Sequence, residues 1–144
     1  MELLDTIRTA WGFTGLVPRT ILEVNAFGNI LIEDERGSIW RISPELLSCE
    51  PIASSPEEVN SLLASPDFKH EWEMHHLVDM ATAKLGTPTD GRCFCLKIPA
   101  VLGGRYDSEN IGTISISELV SFAGDLALQI NDLPDGARVR LVVK

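Results

Sequence analysis

Between Gly91 and Glu118 the chain passes from an alternating segment into a proline, a glycine pair and a polar loop, and ends in a capped apolar repeat. That order demands a strand, a breaker, a loop and a helix in direct succession. Arg92 to Ile98 predicts a strand with Phe94, Leu96 and Ile98 on one side and Cys93 and Cys95 on the other, because strand side chains alternate. Pro99 and Gly103-Gly104 stop it. Ser115 and Glu118 form a capping box for a helix whose Leu119, Phe122, Leu126 and Ile130 recur at helical spacing.

The remaining elements read in the same way. Leu3, Leu4, Ile7 and Trp11 predict a short first helix stopped by Gly12. Thr20 to Val24, Asn29 to Glu33 and Ser38 to Ile42 form a three-stranded meander, turned at Phe27-Gly28-Asn29 and at Asp34 to Gly37. Trp40, on the third strand, is expected to be the most interior of the three tryptophans, and Ser48 to Ala53 is a short returning strand. Ser55-Pro56-Glu57-Glu58 opens a helix with Val59, Leu62 and Leu63 on one face. Ser65-Pro66-Asp67 opens another, which is expected to run unbroken to about Leu85 with Met74, Leu77, Val78 and Ala81 in its stripe. Asp132 to Gly136 turns into a last strand with Val139, Leu141 and Val143 alternating. Strands early and late, with no βαβ alternation, predict an α+β fold with a mainly antiparallel sheet and about four helices.

A chain of 144 residues is expected to form a single domain, and no apolar run approaches a membrane span. Glu2 and Asp5 follow Met1 where a secretory signal would carry a basic region, so a cytoplasmic location is expected. Cys49, Cys93 and Cys95 cannot all pair, and reduced thiols are the simplest reading. The net charge of −9 argues against direct nucleic-acid binding and suits a basic protein partner. Between Glu45 and Asp79 eight acids face the single Lys69, which concentrates seven of the nine net charges there. Such a face is either solvated surface or an electrostatic lure.

Little catalytic machinery is legible. His70 to His75 approaches the zinc-protease pattern, but its second histidine comes five residues on, which turns it about 140° around a helix. Glu71, His75 and Asp79 share a helical face at steps of four, as a salt-bridged histidine would. Cys93 and Cys95 lack the spacing of structural zinc sites and read as packing residues. Gly103-Gly104-Arg105 leads into Asp107 and Glu109, which would repel a phosphate, so it reads as a structural loop or a protein-contact surface with Tyr106 as anchor. No nucleophile elbow or cofactor motif occurs, and no metal, cofactor or catalytic residue is expected.

Pro99, Ala100, Leu102, Gly103, Gly104, Glu109, Asn110 and Glu118 together resemble the C-terminal domain of type VI secretion immunity proteins that neutralise DNase effectors. Phe27-Gly28-Asn29, Asp34, Gly37, Trp40 and Pro44-Glu45 are similar to the end of the GAD-like domain that often precedes it. The resemblance implies one unit spanning 1–144, with a GAD-like segment at about 15–53 and an immunity segment at about 54–144; family members carry a longer front, for which Met1 to Gly15 stands here. It implies a non-catalytic partner of a protein toxin, a nuclease effector. Tyr106, Asp107, Glu109, Glu71 and Glu73 are the expected contacts. Two alternatives remain open: a metal-binding protein or small enzyme using His75 and Asp79 with Cys93 or Cys95, and a homodimeric accessory subunit pairing through its last strand.

Overall fold

Alternation on both faces of one sheet organises the molecule. The computed structural model describes residues 2–131. After helix α1 (Glu2–Trp11), strands β1 (Pro18–Val24), β2 (Ile30–Asp34), β3 (Ile39–Ser43) and β4 (Ser48–Ala53) form an antiparallel meander in the order β1-β2-β3-β4. Helices α2 (Pro56–Ala64), α3 (Pro66–Glu73) and α4 (His75–Leu85) follow. A two-stranded antiparallel sheet, β5 (Arg92–Leu96) with β6 (Ile111–Ser115), then leads into α5 (Ile116–Ile130). The fold is α+β, as the sequence predicts. The expected strand at Val139 to Val143 lies outside the described residues.

Strand β2 is covered on both sides. Ile30 and Ile32, with Ile42 of β3, face Ile7, Trp11, Val120, Ala123 and Leu126 of α1 and α5. Leu31 and Ile39 face Val59 of α2 and Trp72 of α3. A third cluster joins Phe27 to Phe94, Leu96 and Ile111 of the small sheet and Ala81 of α4. Trp11 and Trp72 are the buried tryptophans; Trp40 is only partly buried, with its indole N–H donating to the Asp34 carboxylate at 2.9 Å. The expectation for Trp40 is therefore corrected: its polar edge stays with the turn carboxylate.

Two glycines fix the joints. Gly28 has φ 71°, and a Cβ there would lie 2.7 Å from Leu119 and 3.1 Å from the Cys93 sulfur, so the β1–β2 turn seats directly on β5 and α5. At Gly124 a Cβ would come within 2.7 Å of Ala10, which lets α1 and α5 cross closely.

The helix expected from Pro66 to Leu85 is two helices. Met74 adopts left-handed backbone with φ 48° between them. Trp72, before the break, packs against Leu31 and Ile39, while Leu77, Val78 and Ala81, after it, pack on the Phe94 cluster. The break serves both clusters. Its hydrogen-bond cost is limited: Met74 N–H still reaches His70 at 3.3 Å, and Asn25 donates at 2.9 Å to the Trp72 carbonyl at the severed end.

Strand β5 ends at Leu96, and Ile98, expected on its inner side, is 45% exposed. Strand β6 was not anticipated: its IGTIS stretch reads as loop until it pairs residue by residue with β5.

Candidate functional site

Arg41 points from the β3 face towards α3. There its guanidinium lies 5.1 Å from the Trp72 ring centroid and 6.0 Å from that of Phe68. Two parallel N–H groups donate to the Glu71 carboxylate at 2.6 and 2.8 Å, and two donate to the Asn29 side-chain oxygen at 3.0 and 3.3 Å. Asn29 in turn donates to both oxygens of buried Glu45 at 2.6 and 3.2 Å. The result is a continuous chain, Glu45–Asn29–Arg41–Glu71, running from the interior to an exposed carboxylate.

Burial pushes the Glu45 carboxyl above its ordinary value, and the neighbouring Glu71 charge adds to this, while the bonds from Asn29 and the field of Arg41 work the other way. Tyr106 lies within the same field. Partial burial, then the charges of Glu45 and Glu71, raise its hydroxyl above the usual tyrosine value.

The 98–110 loop carries Tyr106 and is closed by one side chain. The Asn110 amide accepts from Ile98 N–H at 2.9 Å and donates to the carbonyls of Ile98 at 3.0 Å and Arg105 at 2.9 Å. Gly104 seats against Ile98 so tightly that a Cβ would fall 1.7 Å from the Ile98 carbonyl oxygen. Between these walls lies an open concavity of about 370 Å³ lined by Ile98, Gly103, Gly104, Arg105, Asp107, Glu109 and Asn110.

The structure therefore brings Tyr106 and Glu71 into one electrostatic neighbourhood, with Asp107 and Glu109 in the adjoining concavity. Glu109 and Tyr106 are exposed, whereas the Asp107 carboxylate accepts from Asn110 N–H at 3.2 Å and caps a short turn. Glu73 is turned elsewhere, 3.5 Å from His75. The expected common face of Glu71, His75 and Asp79 does not form, because Met74 breaks the helix between the first two. Among the described residues, no three His, Cys, Asp or Glu side chains gather as metal donors. Burial raises the thiols of Cys93, to about 12, and of Cys95, which keeps both protonated near neutral pH.

Sequence reasoning missed Arg41 and Asn29. One signal was present: a cation between Trp40 and Ile42 in an apolar strand requires a carboxylate opposite it.

With this geometry in hand, the chain can be set beside known proteins. A domain model described as "T6SS immunity protein Tdi1, C-terminal" matches residues 56–127, half of the chain. The chain belongs to this type VI secretion immunity family. The crystal structure of Atu4351 from Agrobacterium tumefaciens superposes with a TM-score of 0.54 at 18% identity, covering 85% of this chain and 62% of that one. That likeness attests the fold, and this chain spans less than two thirds of the other's length. No curated protein sequence matches.

Proposed function

We propose that this chain neutralises a protein toxin of the type VI secretion system by binding it, with no catalysis of its own, and that the toxin is a nuclease met in the cytoplasm. Family membership supports the immunity role. The nuclease assignment rests on charge: a site that binds phosphates is basic, and an acidic protein of net charge −9 can occupy its field. Tyr106, Asp107, Glu109, Glu71 and Glu73 are the proposed contacts. The observation that carries this choice is the open concavity lined by Asp107 and Glu109 with Arg105, together with the exposed Glu71 carboxylate, whose charge reaches the Tyr106 hydroxyl. Asp107 contributes through the loop it caps, and Glu73 at the edge.

The test is to co-express candidate type VI secretion nuclease effectors of the source cell with wild-type protein and with Glu71→Lys/Glu109→Lys. Wild type is expected to protect cells and to bind the inactivated toxin domain in vitro. The reversed pair is expected to weaken binding at least ~10-fold and to lessen its salt dependence. Killing that is equal with and without the wild-type chain overturns the proposal.

A further inference from the structure

Two short 3-10 turns, Pro44–Leu46 and Ala100–Leu102, pack on one another, and both break the usual rule for apolar side chains. In the first, Glu45 and Leu47 are buried on either side of Leu46, which is 48% exposed. In the second, Ala100 packs on the Phe94 cluster and Leu102 on the α1–α5 cluster, while Val101 between them is 54% exposed. Ile98 and Tyr106 stand out from the same loop at 45% and 49%. Scattered apolar residues on a surface are ordinary, but four on two stacked turns and one adjoining loop are the kind of cluster that marks an interaction site. Leu47, which ends the first turn, is held at φ 48°, a conformation that costs an L-residue about 1–2 kcal/mol. The fold retains this turn against that strain.

We propose that Leu46, Val101, Ile98 and Tyr106 form the apolar centre of the partner interface, and that the partner inserts an apolar side chain ringed by Lys or Arg. The inference rests on the toxin-binding reading and assigns its chemistry. Charge complementarity selects the occupant: Asp107 and Glu109 outnumber Arg105 around the concavity that Ile98 lines, and the Glu71 charge is felt at Tyr106. A partner that was merely apolar would strip water from the Asp107 and Glu109 carboxylates with no cation to replace it, and one that was merely basic would leave the patch wet. An apolar anchor within a cationic ring satisfies both. In such interfaces the buried centre carries most of the affinity, while the charged rim sets encounter rate and partner choice.

The test is calorimetric titration of the catalytically inactivated toxin domain of a candidate type VI secretion nuclease effector of the source cell against four proteins. These are wild type, Leu46→Ser/Val101→Ser, the apolar-conserving Leu46→Met/Val101→Ile, and Glu71→Lys/Glu109→Lys. The serine pair is expected to lose at least ~30-fold in affinity with an unchanged salt slope, while the Met/Ile pair binds as wild type. If the serine pair lowers the melting temperature, Val101→Lys alone carries the test at a surface position. Wild-type affinity in the serine pair, or in Val101→Lys, with loss in the charge-reversed pair overturns the apolar centre and leaves the immunity reading intact. No binding by wild type overturns both.

Discussion

At the scale of single residues, the Glu45–Asn29–Arg41–Glu71 chain makes a prediction whose sign can be worked out. Glu45 is buried, and its carboxyl is raised above the ordinary glutamate value of 4.5 by that burial. An acid raised in the fold holds its proton more tightly folded than unfolded. Stability is therefore drained as pH climbs from the ordinary value through the raised one. Glu45→Gln keeps an oxygen to accept from Asn29 and removes the titration. Its melting temperature relative to wild type is expected to rise as pH climbs above the ordinary glutamate value of 4.5; a flat difference would mean the fold does not raise the Glu45 carboxyl. Asp34 behaves oppositely. Its burial favours the proton, yet donation from the Trp40 indole and from Ser38 and Arg36 N–H outweighs this and holds the carboxyl low. Asp34 could be read from the sequence as a turn acid. Glu45 could be counted only as one more surface charge, because its burial depends on Asn29 and on a loop some sixty residues further along the chain.

Elements show the same division between local and distant causes. The helix start at Ser55 was legible because its cap is local: Ser55 accepts from Glu58 N–H at 3.3 Å, and Glu58 reaches back to Ser54 N–H at 2.9 Å. The break at Met74 was not, since nothing in its neighbours forbids a helix; the helices before and after it pack into two different apolar clusters. Strand β6 was likewise invisible, being defined by its pairing with β5. Within the candidate site, the Tyr106 loop was legible from its glycines and Asn110, whereas Arg41 required knowing that α3 crosses the sheet. The α1–α5 crossing is decided by one missing methyl. Gly124→Val is expected to push α1 off its seat and to lower stability by about 1–3 kcal/mol, measured by urea unfolding. Gly12→Ala, where a Cβ meets nothing within 4 Å, is the matched control. A Gly124→Val variant as stable as wild type would mean the helices can part without loss.

For the whole molecule, the question is whether the segments on either side of residue 53 behave as two bodies or as one. Each apolar cluster draws from both sides of the boundary near residue 53: Ile30 and Ile42 with Val120 and Leu126, Phe27 with Phe94 and Ile111, Leu31 and Ile39 with Val59 and Trp72. Polar ties cross it as well, since Phe94 N–H donates to the Ala26 carbonyl at 2.9 Å and Arg41 holds Glu71. Unfolding either segment alone would expose all three clusters and leave Glu45 and Arg41 without the contacts that make their burial tolerable. The proposed reading of one domain therefore predicts a single cooperative transition, with tryptophan fluorescence and far-ultraviolet circular dichroism superimposing across the denaturant range. Trp11 and Trp72 report from two different clusters, so fluorescence would register an early loss of either. Two resolved transitions would assign the segments separate stabilities and would make the Arg41–Glu71 bridge a contact between bodies.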